Sequence, residues 1–244
     1  MKTETYNLTN EGVTLTSYIL DYSQEMPRWE KRPVMLVVPG GGYRFCSDRE
    51  AEPVAMAFAA KGWNTFILRY SLNENAAFPR PLDDADEAMQ FIIDHAEEFR
   101  ADTDRICSIG FSAGGHLCAA MATMGKIKPA ATVLCYPCTL KSIEEILPHP
   151  IPGLADKVDE NTSPAFIVSS RKDTLVPIEH SLRYADALEK AGIDFEMHIY
   201  STGDHGFSLC NEVVYSSPEY VERNIHMEGW IDLCFTWLKK TLGM

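Results

Sequence analysis

The chain has 244 residues, 45% of them hydrophobic and 23% charged, with a formal net charge of -13. That suits one globular domain spanning 1–244, and it argues against nucleic acid and anionic membrane surfaces as partners, leaving a small neutral substrate as the better match. The N-terminal Met1-Lys2-Thr3-Glu4-Thr5-Tyr6-Asn7 lacks the apolar stretch of a signal peptide, no run approaches the length of a membrane span, and the cysteine count is odd; a cytoplasmic protein with reduced thiols is the expectation.

Taken in chain order, residues 3–9 and 13–20 alternate apolar and polar around the turn Asn10-Glu11-Gly12, which predicts an antiparallel hairpin. Val34-Met35-Leu36-Val37-Val38 is continuously apolar, as a strand covered on both faces should be. It runs into Pro39-Gly40-Gly41-Gly42-Tyr43. A helix is predicted over 50–61, stopped by Gly62, then a strand over 64–70. Leu82, Ala85, Met89, Ile92, Ile93, Ala96 and Phe99 place a long helix over 81–99. Strands follow over 105–111, 130–136, 165–170 and 195–200, and helices over 115–124, 177–191 and 220–242. Alternation of this kind implies a mostly parallel sheet with helices on both faces. The stretch 139–164, with Pro148-His149-Pro150-Ile151-Pro152-Gly153, is irregular and reads either as a small flap or as a plain surface loop.

Gly110-Phe111-Ser112-Ala113-Gly114 lies between a predicted strand and a predicted helix. That context makes it a nucleophile elbow, in which the residues two before and two after the serine must be small so that strand and helix can approach. A serine hydroxyl needs a base, and the base an orienting acid. Asp173 follows the strand over 165–170, and His205 follows the last strand in Gly203-Asp204-His205-Gly206-Phe207. Both fall at carboxyl ends of parallel strands, where such sheets place ligands. Asp204 competes with Asp173, but a neighbour in sequence is badly placed to reach the imidazole Nδ1–H. His116 is read as core or as support behind the elbow, and His180 as a residue near the acid loop. The amide of Ala113 and the run Gly40-Gly41-Gly42, Gly41 and Gly42 foremost, are the candidate oxyanion donors. The Lys-Ser/Thr of a phosphate-binding loop is missing after the glycines. No metal-ligand spacing is present, and no cofactor is expected. Cys135-Tyr136-Pro137-Cys138 reads as two core or pocket-wall thiols, with a redox pair as the alternative. Tyr43, Arg44, Phe45 and Trp63 are candidate wall residues, Tyr43 foremost for substrate binding.

Together, Val38-Pro39-Gly40-Gly41-Gly42-Tyr43, Arg69-Tyr70-Ser71, Asp83-Asp84-Ala85, Gly110-Phe111-Ser112-Ala113-Gly114-Gly115-His116, Asp173-Thr174-Leu175-Val176-Pro177 and His205-Gly206-Phe207 resemble the small, lidless α/β-hydrolase carboxylesterases. The likeness is to the acetylesterase and acetylxylan-esterase-like branch. One departure is Pro39, where many relatives carry His. The resemblance implies an α/β-hydrolase fold and hydrolysis of short acyl esters, acetyl groups on xylose-containing sugars among them. An amidase or peptidase-like hydrolase on the same residues, or a non-catalytic binding protein, are the alternatives. The natural alcohol, the acyl-length limit and the oligomeric state are not encoded in any motif.

Overall fold

Eight strands form one sheet in the order β1-β2-β4-β3-β5-β6-β7-β8. The computed structural model describes residues 1–215 and 217–244. The strands are β1 (Lys2–Asn7), β2 (Thr14–Ile19), β3 (Arg32–Val38), β4 (Asn64–Arg69), β5 (Ala101–Phe111), β6 (Thr132–Cys135), β7 (Ala165–Ser170) and β8 (Phe195–Tyr200). β1 and β2 pair antiparallel, as the alternation and the Gly12 turn dictate, and β2 pairs antiparallel with β4. All later pairings are parallel.

β3 shows why its sequence is apolar throughout. Val34, Leu36 and Val38 face a core with α2 (Arg80–Asp94), α4 (Ala113–Met124) and α5 (Glu179–Ala191), represented by Met89, Leu117 and Leu188. Met35 and Val37 face the opposite core with α1 (Glu52–Ala59) and the C-terminal α7 (Trp230–Thr241), through Val54, Phe58, Trp230 and Leu238. Two helical layers therefore cover the sheet, the arrangement expected of a buried parallel sheet.

Two predicted helices are broken. The one over 81–99 divides at His95 into α2 and a single turn, α3 (Ala96–Phe99), closed by Arg100 in the left-handed region at φ 49°. The buried Phe99 that ends this turn packs edge-on against Tyr6 and Phe66. The helix over 220–242 divides into α6 (Pro218–Asn224), a 3-10 turn (Ile225–Met227) and α7. The gap seats the Trp230 indole, whose N–H donates to the Ser208 carbonyl at 2.9 Å.

From β3 the chain crosses to β4 on one side and then returns to β5 on the other. The reversal opens a crevice at the carboxyl ends of β3 and β5, the place where doubly wound sheets bind ligands. The glycine run leaves β3 there, and Ser112 leaves β5. Among the described residues, no helix is long and apolar enough to cross a membrane.

Candidate active site

Ser112 sits between β5 and α4 at φ 52°, ψ -115°, a region of the map that non-glycine residues seldom occupy. The turn is that tight because its neighbours have no side chains. A Cβ on Gly110 would lie 2.2 Å from the Gly114 carbonyl oxygen, and one on Gly114 would lie 2.1 Å from the Val38 oxygen. Tight packing thrusts the serine hydroxyl out at the head of the sheet.

Two other loops meet it. The Ser112 hydroxyl donates to His205 Nε2 at 2.9 Å, and His205 Nδ1–H donates to Asp173 Oδ2 at 2.6 Å. The second oxygen of Asp173, Oδ1, accepts the amides of Leu175 and Val176, each at 2.9 Å. The carboxylate is held at both ends, so the tautomer and the tilt of the imidazole are set by it. The Asp173 side chain is 1% exposed and that of His205 is 16%, so the acid is shielded while the base opens to the cavity. Asp204 turns away, its amide bonded to Asn224 and its carboxylate paired with Arg223 at 2.9 Å.

The glycine run resolves into two roles. The Gly40 N–H is taken by Glu50 Oε2 at 2.9 Å. Among the described residues no acceptor holds the amides of Gly41, Gly42 or Ala113. Gly41 needs its own backbone freedom, at φ 131°, since a Cβ there would meet the Phe45 oxygen at 2.0 Å. The loop is braced from beneath: the Tyr70 hydroxyl donates to the Pro39 carbonyl at 2.8 Å, and Asp84 accepts the Ser71 amide at 2.7 Å.

A cavity of about 450 Å³ opens over Ser112 and His205. Gly41, Gly42, Arg44 and Phe45 line one side, and Leu175 and Val176 from the acid loop another. The stretch 139–164 contributes Ile143, Ile146 and Leu147, which makes it a wall of the cavity and not a plain surface loop. Arg44 fastens that wall by donating to the Ile146 carbonyl.

Comparison with known proteins bears on the same architecture. The BD-FAE family model matches residues 20–135, and the prolyl oligopeptidase family model matches residues 153–231. The solved structure of MGS-M1, an alpha/beta hydrolase enzyme from a Medee basin deep-sea metagenome library, superposes with a TM-score of 0.95 at 44% identity, covering 100% of this chain and 99% of that one. The chain belongs to the α/β-hydrolase superfamily. Endo-1,4-beta-xylanase B of Butyrivibrio fibrisolvens is 32% identical over 216 residues, 76% of this chain and 34% of that protein. The acetylxylan esterase of Xylanibacter ruminicola is 29% identical over 196 residues, 70% of this chain and 40% of that protein. The α/β-hydrolase chain thus spans between a third and two fifths of the length of these two relatives.

Not every expected residue reaches this α/β-hydrolase cavity. Arg44 and Phe45 line it, but Tyr43 does not, which corrects its assignment to substrate binding. Its side chain is buried and its hydroxyl donates to His116 Nδ1 at 2.7 Å, while His116 Nε2–H donates to the Pro152 carbonyl at 3.0 Å. Tyr43 and His116 therefore tie the glycine loop after β3 to the 139–164 wall. Trp63 is also buried, against Phe58. His180 anchors the start of the same wall by accepting the Leu140 amide at 3.1 Å. Cys135 and Cys138 are free thiols; Cys138 lines the cavity with Sγ 3.7 Å from Ser112 Oγ, and burial pushes it up to about 12, which keeps it a thiol. No cluster of metal-binding side chains occurs among the described residues.

Glu50 and Tyr136 went unnoticed in the sequence. Both are buried at the site, with the Tyr136 hydroxyl donating to Glu50 Oε1 at 2.7 Å and the Tyr136 ring edge-on to His205 at 5.0 Å. One signal was available. Glu50 stands four and eight residues before Val54 and Phe58, the spacing of one face of the predicted 50–61 helix, although in the structure it belongs to the 3-10 turn Asp48–Glu50 ahead of α1.

Proposed function

We propose that this α/β-hydrolase is a serine carboxylic-ester hydrolase acting on short acyl esters, acetyl esters of xylo-oligosaccharides or related sugars foremost. The observation that carries the proposal is the unbroken line from Ser112 Oγ through His205 to Asp173, at 2.9 and 2.6 Å, opening into a cavity. In the proposed cycle His205 takes the Ser112 proton as Oγ attacks the ester carbonyl carbon. Asp173 stabilises the imidazolium that forms. The amides of Gly41, Gly42 and Ala113, free of other acceptors among the described residues, receive the negative charge on the carbonyl oxygen, each such donor lowering the barrier by about 3–4 kcal/mol. His205 then protonates the departing alcohol, and a water deprotonated by the same imidazole attacks the acyl-Ser112 ester and releases the acid. The chemistry calls on no cofactor.

Support for the sugar ester comes from the likeness to a xylanase and an acetylxylan esterase and from the net charge of -13, which disfavours anionic substrates. The cavity is roomier than an acetyl group requires, so the alcohol is expected to share it. A second proposal, an amidase or peptidase on the same residues, has one specific support: the prolyl oligopeptidase family match over 153–231 contains both Asp173 and His205. A p-nitrophenyl ester series from acetate to octanoate, run beside the matching anilides and acetylated xylo-oligosaccharides, separates the two. Ester turnover highest at acetate, with release of acetate from the oligosaccharides, is the expected result. Preference for the anilides would transfer the assignment to amide hydrolysis.

A further inference from the structure

The ester-hydrolase proposal uses Ser112, His205, Asp173 and three amides, and it leaves a buried carboxylate at the same site without a task. Glu50 is 3% exposed, yet it lines the cavity floor. Its two oxygens serve different segments. Oε2 accepts the Gly40 amide at 2.9 Å, on the oxyanion loop. Oε1 accepts the Tyr136 hydroxyl at 2.7 Å, and that hydroxyl in turn accepts the Ser208 amide at 3.1 Å, on the loop carrying His205. Gly40 is the hub: a Cβ there would lie 2.8 Å from Glu50 Oε2 and 3.1 Å from the Ser112 Cβ. The Glu50 carboxylate thus spans the space between the amides that would bind the oxyanion and the histidine that would move the proton.

Such an arrangement is costly unless it is used. Burial pushes the Glu50 carboxyl up from its ordinary value, while the Tyr136 hydroxyl, the Gly40 amide, His205 and Arg49 pull it back. An apolar side chain in that space would avoid the desolvation. It would also leave the Gly40 amide without an acceptor and free to turn, and with it Gly41 and Gly42.

We propose that Glu50 is a positioning residue for the esterase reaction, its carboxylate fixing the Gly40–Gly42 loop and, through Tyr136, the His205 loop in the geometry that binds the transition state. The inference rests on the ester-hydrolase assignment. Its effect falls on the tetrahedral state and not on substrate entry, because Glu50 donates nothing to the ester and holds only the groups that receive developing charge.

The test is steady-state hydrolysis of p-nitrophenyl acetate by wild type, Glu50→Gln and Tyr136→Phe, with the Ki of phenylboronic acid, which adds to the serine hydroxyl as a tetrahedral adduct. Gln keeps the shape but removes the charge and one of the two acceptor atoms, so its NH2 must face either the Gly40 amide or the Tyr136 hydroxyl where Glu50 accepts from both. The expected result is a fall in kcat of about tenfold to a hundredfold at a KM within about twofold, with the boronate Ki weakened in step. Tyr136→Phe leaves the carboxylate on Gly40 and removes the hydroxyl that links Glu50 Oε1 to the Ser208 amide, so a smaller fall of the same kind is expected; it also decides the matter should Glu50→Gln not fold. Wild-type kcat in the folded variants, or a KM rise with boronate binding untouched, would overturn the role of Glu50. Failure of the esterase assignment looks different: the wild type itself would leave p-nitrophenyl acetate intact.

Discussion

Three side chains carry the chemistry proposed for this molecule, and a fourth, His116, carries a testable consequence for stability. Burial holds His116 down at about 4, against an ordinary value of 6.5, with a smaller contribution in the same direction from His180 and an opposing one from the Pro152 carbonyl. Its hydrogen bonds suit the neutral ring, Nδ1 accepting from Tyr43 and Nε2–H donating to Pro152. Because the folded value is depressed, the unfolded chain binds the extra proton between pH 6.5 and about 4. The contribution is therefore fully present above pH 6.5 and is lost as pH falls toward 4, by roughly 3 kcal/mol. Urea midpoints at pH 7.5 and 4.5 should converge more in His116→Gln than in wild type; equal losses in both would contradict the assignment. Among the residues of the site, Ser112, Asp173 and His205 were legible because each follows the end of a strand in a fixed chain order and two have glycines close on both sides. Glu50 was not, since a carboxylate among Asp48, Arg49 and Glu52 looks like an exposed helix start, and only the tertiary fold puts it under Gly40. Tyr43 misled for the opposite reason. Its place beside the glycines suggested the cavity, but its φ of 59° turns the ring inward to His116.

At the scale of elements, the strand-turn-helix of β5 and α4 depends on contact between backbones. A methyl group on Gly114 has nowhere to go, with the Val38 oxygen at 2.1 Å and the Pro39 oxygen at 2.5 Å. Both lie where β3 runs into the glycine loop proposed to bind the oxyanion. Gly114→Ala should therefore cost about 1–3 kcal/mol of stability and also depress turnover, since the loop must shift away from Ser112. An unchanged urea midpoint with unchanged kcat would show that the approach is looser than described. The strands were legible from alternation and apolar runs, and the parallel order followed from helices between them. The helix breaks were not. Nothing local stops the 81–99 pattern at His95, and within 220–242 only Gly229, the N-cap of α7, marks a break; the aromatic contacts of Phe99 and the bond from Trp230 to Ser208 decide them, and those are long-range.

For the whole molecule, one sheet covered on both faces leaves the seven cysteines as isolated thiols, six buried and Cys46 half-buried. Cys46 is itself pushed up to about 11 by burial, which slows its reaction further. Titration with a disulfide reagent should find at most one slow thiol in the folded protein and seven after denaturation without reductant; fewer than seven would reveal a disulfide. The sheet also explains why the site could be located before its walls. Strand order places the loops after β3, β5, β7 and β8 at one edge, as topology requires. The cavity wall from 139–164 follows no period and is held by Arg44, His116 and His180, contacts that sequence spacing does not reveal.

The central claim is that Ser112 attacks an ester carbonyl with His205 and Asp173 behind it. Its most direct test is kcat/KM for p-nitrophenyl acetate in wild type and in Ser112→Ala, with the fold of the variant checked by its urea midpoint. The account predicts a variant as stable as wild type whose activity is lower by at least about a thousandfold. A folded Ser112→Ala protein that hydrolyses the ester at the wild-type rate would contradict it.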